Sequence, residues 1–565
     1  MPKISIVLGF LLSILGLYGY FGMGEVSITA LIPLFIGVPI IILGILAFDE
    51  QRLKHSMHAA SVLILLGLIG SLYRLVHKVI LGNIDGSLII LILMSVICII
   101  FLILSINSFR EARKARKKTG CRMNNIKFII IALFLVTFVS CGKTSNSTTN
   151  NELESKMNKI AEGYVRLVLN IGLHDPGYID AYYGPAEWKP DDSSVIVKDS
   201  IQIQKLFNES GRLLDSLDAL SNFKANEIET LRYKFLYKQL LAVRTRISVL
   251  AGAVFTFDEE TKNLYDAEVP IHSNDFFASV IDELDKILPG MGAISDRLSE
   301  FRKFYIIPVN KLDAVFKAAI NECRKRTLQH IPLPSNESFS VEYVKDKPWG
   351  AYNWYKGNSY SVIQVNTSLP VYIDRAVDLA AHEGYPGHHV YNTLLEKNMV
   401  KDRKWMEFTV YPLYSPQSLI AEGSANFGIQ VVFPGDSRIR FEKEVLFPLA
   451  GLDSSGADKY YKIIDLCTKL DYAGNEAARN YINGKMNRDQ TIKWLQKYDI
   501  MSKERAEQRM RFIDAYRGYV INYNVGQVLV RDYINRNGGT VNNSELRWQI
   551  FERLLSTPQV PSNLK

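Results

Sequence analysis

The chain has 565 residues, of which 48% are hydrophobic and 22% charged, and its formal net charge is +8 at pH 7. The charge is uneven, because residues 1–123 hold 12 basic and 5 acidic residues, whereas the remainder holds 54 and 53. No nucleic-acid partner is therefore predicted, since the large C-terminal part is nearly neutral. Five cysteines without a CxxC pair predict neither a disulfide framework nor a cysteine metal site.

Residues 1–122 are predicted to form a four-helix transmembrane region. They contain four apolar stretches, near 4–22, 29–48, 59–73 and 86–106. Each is close to the roughly 20 residues that cross a bilayer as a helix, although the third is short. A basic run from Arg110 to Arg122 follows the fourth stretch and predicts that this end is cytoplasmic.

Residues 123–141 resemble a second beginning inside the chain. Met123 is followed by a short charged start, the apolar stretch FIIIALFLVTFVS and Cys141, which is signal-peptide anatomy. Ser140-Cys141 resembles a bacterial lipoprotein cleavage site, at which Cys141 becomes lipidated; a fifth transmembrane helix is the alternative. Both interpretations place the following residues in the periplasm or at the cell surface. The internal signal also indicates that a four-span membrane protein is fused here to a separate lipoprotein.

The remaining chain is predicted to be a flexible linker, 142–151, and a mainly α domain, 152–565, with a small β edge. Apolar residues recur at helical spacing over most of the domain. The predicted helices are 152–173, 199–221, 224–252, 274–303, 307–329, 437–482, 487–497 and 503–536. The stretch 359–366 alternates like a strand. It is interpreted either as an edge to which an extended substrate adds, as in zinc peptidases, or as an ordinary hairpin strand.

The run His-Glu-Gly-Tyr-Pro-Gly-His-His, from His382 to His389, is the strongest chemical signal. It departs from the usual zinc-peptidase spacing, because Pro386 stands four residues after the first histidine, where a second ligand belongs. Proline disrupts a helix, so a local loop is predicted at Pro386-Gly387. Such a loop moves His388 to the place of the second ligand. His389 would then lie behind the metal site or face the substrate, although which of the paired histidines binds stays open.

Glu422 is predicted to be the third metal ligand. It lies in an apolar context that indicates a buried helix, and a buried carboxylate is costly unless it is paired or bound to a metal. Two histidines and one glutamate with an open fourth position form a catalytic zinc site. The alternative is that the histidines belong to a loop and that Glu422 is exposed.

Three motifs together resemble a known family. They are His-Glu-x-x-Pro-Gly-His from His382, Glu-Gly-x-Ala from Glu422, and Tyr-x-x-Gly-Gln from Tyr523. This pattern is similar to the bacterial family called domain of unknown function 885, over about residues 152–560. The family is grouped with the glutamate-ligand zinc metallopeptidases, the gluzincins, so the resemblance implies a zinc-peptidase-like domain that binds Zn²⁺. The chain departs from the family at Ser424, where tryptophan is common, and at 517–519, where Pro-Gly-Gln is common.

The predicted activity is zinc-dependent hydrolysis of a peptide bond outside the cytoplasm. Glu383 would accept a proton from water and pass it to the leaving amine. The oxyanion needs a hydrogen-bond donor, for which Tyr523 is the first candidate, followed by Tyr519 and His389. For each of these three, a packed aromatic ring or a loop histidine is the alternative.

Other functions stay open on sequence alone. Arg511 or Arg517 would suit a substrate carboxylate, although a solvated helix face is the simpler interpretation of both. The predicted partners are a peptide or amide substrate and the membrane. The alternatives to a peptidase are a hydrolase of a non-peptide amide and a non-catalytic, membrane-tethered binding protein.

Overall fold

Apolar helices form the N-terminal unit of the computed structural model, Met1–Gly142. The structure describes residues 1–21, 31–49, 53–80, 86–115, 145–191, 200–222, 225–347 and 349–565. The helices of this unit are α1 (Pro2–Phe21), α2 (Ile32–Leu46), α3 (Leu53–Ile80) and α4 (Gly86–Ala115). Three of them, α1, α3 and α4, contain stretches long and apolar enough to cross a membrane, whereas α2 has 15 residues. The short helix is therefore the second, not the third as the sequence indicated, and the four-span arrangement stays a prediction.

Helices α1 and α2 pack through glycines. A Cβ on Gly9 would lie 2.8 Å from the carbonyl oxygen of Gly37, so the two backbones approach closely, as in helix pairs within lipid. Large apolar side chains cover the outside of the unit. Those more than half exposed include Phe10, Ile14, Phe35, Leu66 and Ile69. An apolar exterior of this kind is consistent with association with a membrane.

The predicted signal and linker lead into the second unit, Lys143–Lys565. Residues 123–141, with Cys141, lie outside the part of the chain that the structure describes. The predicted linker 142–151 is described from Ser145, and from there it is helical, as the start of α5 (Ser145–His174). The amphipathic segment from Leu153, which packs in the core, thus continues toward its N-terminus as one helix, and the flexibility of the predicted linker stays a prediction.

The second unit is mainly helical, as the apolar spacing predicts. After α5 come α6 (Ser200–Asp218), α7 (Glu227–Leu250), α8 (Phe257–Tyr265), α9 (Asn274–Ile287), α10 (Ile294–Arg302), α11 (Leu312–Leu328), α12 (Asp374–Leu379), α13 (His388–Leu395), α14 (Pro416–Val432), α15 (Ser437–Phe441), α16 (Phe447–Ala450), α17 (Ala457–Leu470), α18 (Tyr472–Ile482), α19 (Arg488–Tyr498), α20 (Lys503–Tyr516), α21 (Ile521–Arg536) and α22 (Ser544–Leu555). The predicted helix 437–482 is thus four shorter helices, α15 to α18.

Five short strands form two small sheets in the described part of this unit. Strands β1 (Ile179–Tyr182) and β5 (Val410–Pro412) pair antiparallel, and β2 (Ser338–Val344), β3 (Ala351–Gly357) and β4 (Tyr360–Asn366) form a sheet in the order β2-β4-β3. Strand β4 confirms the predicted strand 359–366. It is the central strand, so both of its edges are already paired, and the prediction that a substrate adds to this strand is wrong.

Two contacts position the segments that carry the site. The three-stranded sheet supports the histidine run, since the amide of Asn353 on β3 donates a hydrogen bond of 2.7 Å to the carbonyl oxygen of Glu383. Helices α14 and α21 cross at two glycines, where a Cβ on Gly423 would lie 2.4 Å from the carbonyl carbon of Gly526. This crossing holds the helix of Glu422 against the helix of Tyr523.

Candidate functional site

The Pro386-Gly387 break separates two helices in the histidine run. Residues Ala380–Gly384 form a π-turn at the end of α12, and α13 begins at His388. A Cβ on Gly387 would lie 1.9 Å from the carbonyl oxygen of His382, so only glycine fits at this turn. The start of α13 is thereby brought next to His382, as the sequence predicts.

His382, His388 and Glu422 converge on one point. The Nε2 atoms of the two histidines are 3.1 Å apart, and Oε2 of Glu422 lies 3.3 Å from Nε2 of His382 and 3.7 Å from Nε2 of His388. A tetrahedral zinc ion with bonds of about 2.0–2.1 Å needs ligand atoms about 3.3 Å apart. The three donor atoms therefore have the separations that such an ion needs. No other group of three potential ligands this close is found among the described residues.

Asn426 fixes the tautomer of His382. Its amide nitrogen donates to the carbonyl oxygen of Tyr523 at 2.9 Å, so its amide oxygen is the atom that lies 2.9 Å from Nδ1 of His382. An oxygen acceptor there requires that Nδ1 carries the proton, and Nε2 of the neutral ring then presents its lone pair to the site. Sequence reasoning missed this role, although Asn426 lies four residues after Glu422, on the same helix face.

Glu422 presents an unsatisfied oxygen to the two imidazoles. Its Oε1 accepts a hydrogen bond of 3.0 Å from the hydroxyl of Tyr519, whereas the buried Oε2 has no hydrogen-bond partner among the described residues. Burial acts to raise the pKa of this carboxyl, but His382 and His388 outweigh burial and hold it well below its usual range. A buried carboxylate oxygen without a donor is costly, and a cation among the three groups would satisfy it. The residues therefore fit a zinc ion.

The raised pKa of His388 also shows that this point of the structure favours a positive charge. Burial acts to lower the pKa of its imidazole, but Glu422, Glu383 and Asp180 outweigh burial and raise it to about 9. Several carboxylates thus share one positive charge. A divalent cation would supply that charge in place of a proton.

Glu383 is buried directly after the first histidine. Burial raises the pKa of its carboxyl and the charge of Glu422 adds to the rise, while the imidazoles of His382 and His388 oppose it. Asn353 binds its backbone carbonyl and so fixes the turn. A carboxyl with a raised pKa beside a candidate metal site is suited to accept and release protons.

The two predicted tyrosine donors have different surroundings. Tyr519 uses its hydroxyl to bind Glu422, so it positions this carboxylate. The hydroxyl of Tyr523 makes no hydrogen bond with the residues that the structure describes. Burial, together with the charges of Glu422 and Glu383, holds the pKa of Tyr523 well above its usual value. Tyr523 is therefore the tyrosine with a proton available for a ligand.

His389 does not face the substrate. It is fully buried, its Nδ1 shares a hydrogen bond of 2.9 Å with the hydroxyl of Ser361, and its Nε2 lies 3.1 Å from Oε2 of Glu337. Both ring nitrogens are thus occupied, and the predicted role as an oxyanion donor is wrong for this arrangement. Neighbouring residues on a helix point about 100° apart, so His388 faces the site while His389 faces the core.

Asp180 is a residue of the site that sequence reasoning missed. It lies half-buried on β1, and burial raises the pKa of its carboxyl to about 7, with Glu422 and Glu383 adding to the rise and His388 opposing it. The residues around Asp180 contain no metal-site spacing. Only the folding of β1 against β5 reveals its proximity to the histidines.

The two arginines that the sequence suggested for a substrate carboxylate have different surroundings. The Nε atom of Arg517 donates a hydrogen bond of 2.7 Å to Glu260, and Arg511 is exposed. Arg517 is therefore occupied within the protein, and Arg511 belongs to the solvated helix face that the alternative interpretation predicts.

Two solved structures are similar to this chain. One is a "putative lipoprotein" from Colwellia psychrerythraea, with a TM-score of 0.42 and 14% identity over 67% of this chain and 69% of that one. The other is a "putative lipoprotein of unknown function" from Shewanella oneidensis, with a TM-score of 0.31 and 15% identity over 64% of this chain and 70% of that one. No protein-family model matches the chain, and no curated protein does.

Proposed function

We propose that the second unit is a zinc-dependent hydrolase that cleaves amide bonds, with peptides as its substrates. One observation carries the proposal: the ligand atoms of His382, His388 and Glu422 lie within 4.8 Å of one another, and buried Glu383 follows the first of them in sequence. The resemblance of the three motifs to domain of unknown function 885, and through it to the gluzincins, supports the same class.

His382, His388 and Glu422 would hold a zinc ion, which would supply a Lewis acid for the attacking water and the scissile carbonyl. Glu383 accepts the proton of the attacking water and returns it to the leaving amine. Its raised pKa suits both steps, because a group that ionises closer to neutrality is both a usable base and a usable acid.

The neighbouring side chains bind the substrate and orient the metal ligands. Tyr523 keeps its proton at neutral pH, because its pKa is held well above its usual value, and its hydroxyl donates to the oxyanion of the substrate. Tyr519 holds the carboxylate of Glu422, and Asn426 holds the ring of His382.

The proposal is tested on the full chain in detergent, by metal analysis and a peptide library. We expect one zinc per chain and cleavage of peptides. Glu383→Gln removes the proton acceptor but none of the metal ligands, so it should keep the zinc and lower kcat by about 10²- to 10⁴-fold. Glu444→Gln, the same change at an exposed position, is the matched control and should behave like the wild type.

The outcomes separate the alternatives. Undiminished turnover by Glu383→Gln contradicts the mechanism. A chain that binds no stoichiometric zinc and cleaves nothing is the non-catalytic binding protein. Cleavage of amide-bearing cell-wall fragments in preference to peptides identifies the non-peptide amidase. Metal analysis of His388→Ala and His389→Ala, of which only the first should lose zinc, tests the assignment of the ligands.

We also propose that this hydrolase works outside the cytoplasm, held at the membrane by a lipid on Cys141. The signal-like stretch before Cys141 and the apolar helices of the first unit support this location. Mass spectrometry of the mature N-terminus tests it. A lipidated Cys141 is the expected result, and an intact peptide that spans Arg122 to Asn125 contradicts both cleavage at this site and the fusion of two proteins.

A further inference from the structure

Arg509 of α20 lies beside the tyrosine of the site. Its guanidinium carbon is 5.4 Å from the ring centre of Phe512, and the ring centre of Phe512 is 6.4 Å from that of Tyr523. The charge of Arg509 also reaches the phenol, since it acts to lower the pKa of Tyr523 against the larger effect of burial. Arg509 therefore belongs to the wall of the site that contains Tyr523.

A glycine makes room for the guanidinium. A Cβ on Gly474 of α18 would lie 3.1 Å from a terminal nitrogen of Arg509, closer than an ordinary contact. The next residue, Asn475, donates a hydrogen bond of 3.0 Å to Asn524, which follows Tyr523 on α21. The hydrogen bond between Asn475 and Asn524 thus links α18, which packs against Arg509, to α21, which carries Tyr523.

Arg509 has no acidic ion-pair partner within the described part of the chain, and its Nε has no hydrogen-bond acceptor there. Its Nε atom is buried without a hydrogen-bond acceptor, and no ion pair joins it to an acidic residue there. Arg232, by contrast, is buried and paired with Glu407 at 2.6 Å. A buried guanidinium nitrogen without an acceptor is costly, so the arrangement favours an acceptor supplied from outside the protein.

Two acidic residues lie near Arg509 without forming an ion pair with it. The carboxyls of Asp471 and Asp499 both sense its charge, which acts to lower their pKa values. Burial is the larger effect at Asp499, where it raises the pKa well above its usual value, whereas Asp471 is exposed. Neither carboxyl lies within ion-pair distance of the guanidinium in the described structure.

We infer that Arg509 binds a carboxylate of the substrate on the Tyr523 side of the site. The carboxylate is the C-terminal one of a peptide or that of an acidic side chain, because the planar fork of arginine suits both. The inference rests on the proposed hydrolase function and adds a specificity to it. It implies that an uncharged peptide is a poor ligand and that cleavage occurs near the residue that carries the carboxylate.

Binding to the metal-free full chain in detergent tests the inference without requiring hydrolysis. The probes are acetyl-Ala-Ala-Phe and its C-terminal amide, with acetyl-Ala-Glu-Ala amide and acetyl-Ala-Gln-Ala amide as the pair for an acidic side chain, and the measurement is isothermal calorimetry. A hydrogen bond to a charged group contributes about 1.5–3 kcal/mol, so the wild type should bind the charged member of at least one pair about 10- to 100-fold more tightly. The preferred pair identifies the source of the carboxylate.

Variants assign the preference to one side chain. Arg509→Met should remove the preference for the charged probe and leave the affinity for the uncharged probe unchanged. Arg509→Lys, which keeps the charge but loses the fork, should retain only part of it. Arg505→Met is the matched control, because Arg505 is an exposed arginine one turn earlier on the same helix, and the preference should persist. Circular dichroism checks that each variant is folded, and the lysine variant serves if the methionine variant is not.

Two results would overturn the inference. One is equal affinity of the wild type for the charged and uncharged members of both pairs, and the other is a preference that survives in Arg509→Met. Failure of the proposed function gives a different result, namely a zinc-loaded wild type that cleaves no peptide while the calorimetric preference persists. Hydrolysis without any such preference leaves the function standing and removes the role of Arg509.

Discussion

Asn426→Ala should weaken zinc binding although Asn426 is not a ligand. The amide oxygen of Asn426 lies 2.9 Å from Nδ1 of His382 and keeps the proton on that nitrogen. Without this acceptor the ring is free to rotate and to place its proton on Nε2, the nitrogen that faces the site. The metal would then compete with a proton and with ring disorder.

The size of the effect follows from the single contact that is lost. Loss of such an orienting partner typically costs 10- to 100-fold in metal affinity, which corresponds to about 1.4–2.7 kcal/mol. Competition with a chromogenic chelator at pH 7.5 measures the zinc Kd of the wild type and the variant. Because metal binding is linked to deprotonation of the histidines, the loss should be larger at pH 6.5.

The matched variant is Asn426→Asp, which keeps an oxygen acceptor for Nδ1 but loses the donor to the carbonyl oxygen of Tyr523. It should bind zinc more tightly than Asn426→Ala. If both variants bind zinc within about threefold of the wild type, which is about 0.6 kcal/mol, then the tautomer of His382 does not control the site and the reasoning is refuted.

Two further predictions concern the fold around the site. Burial raises the pKa of Glu442 from 4.5 to about 8 against the opposing charge of Arg438, so the stability that its protonated form contributes is complete below about pH 4.5 and is lost as the pH rises through about 8. Glu442→Gln leaves Arg438 paired with Asp378, so it should flatten the decline in the free energy of unfolding between pH 5 and 9, measured by urea denaturation, by up to about 4 kcal/mol. Parallel declines for the variant and the wild type would contradict this. Gly423→Ala should lower the free energy of unfolding by about 1–3 kcal/mol and lower the Tm, because its Cβ would meet backbone atoms of Gly526. Gly428→Ala should lower the free energy of unfolding less, because its Cβ meets only side-chain atoms at 3.2 Å or more. Equal losses would argue against the glycine crossing.

Local signals in the sequence were sufficient to predict most helices of the second unit and the group of candidate metal ligands. Apolar spacing predicts most helices of the second unit because each one buries a single face. His382, His388 and Glu422 were predictable as neighbours, because proline and glycine mark a break in the helix and a glutamate in an apolar helix is unusual. Each of these signals is read from the residues directly beside it in the chain.

Contacts between distant segments were not predictable in this way. Asp180 and Arg509 are ordinary residue types, on a short strand and on a charged helix, and only the tertiary fold brings them to the site. The role of strand β4 depended on its partners β2 and β3, which the alternation within 359–366 does not reveal. The predicted loop at Pro386-Gly387 favours His388 over His389, but only the direction of α13 decides between them.

The tight turn at Gly387 determines the directions in which His388 and His389 point. Since any side chain at this position would collide with the carbonyl oxygen of His382, the glycine marks a fixed point in the chain. The residue directly after it faces the ligand group, and the residue after that faces the core. A residue without a side chain thus determines which imidazole joins Glu422 and which one packs in the core.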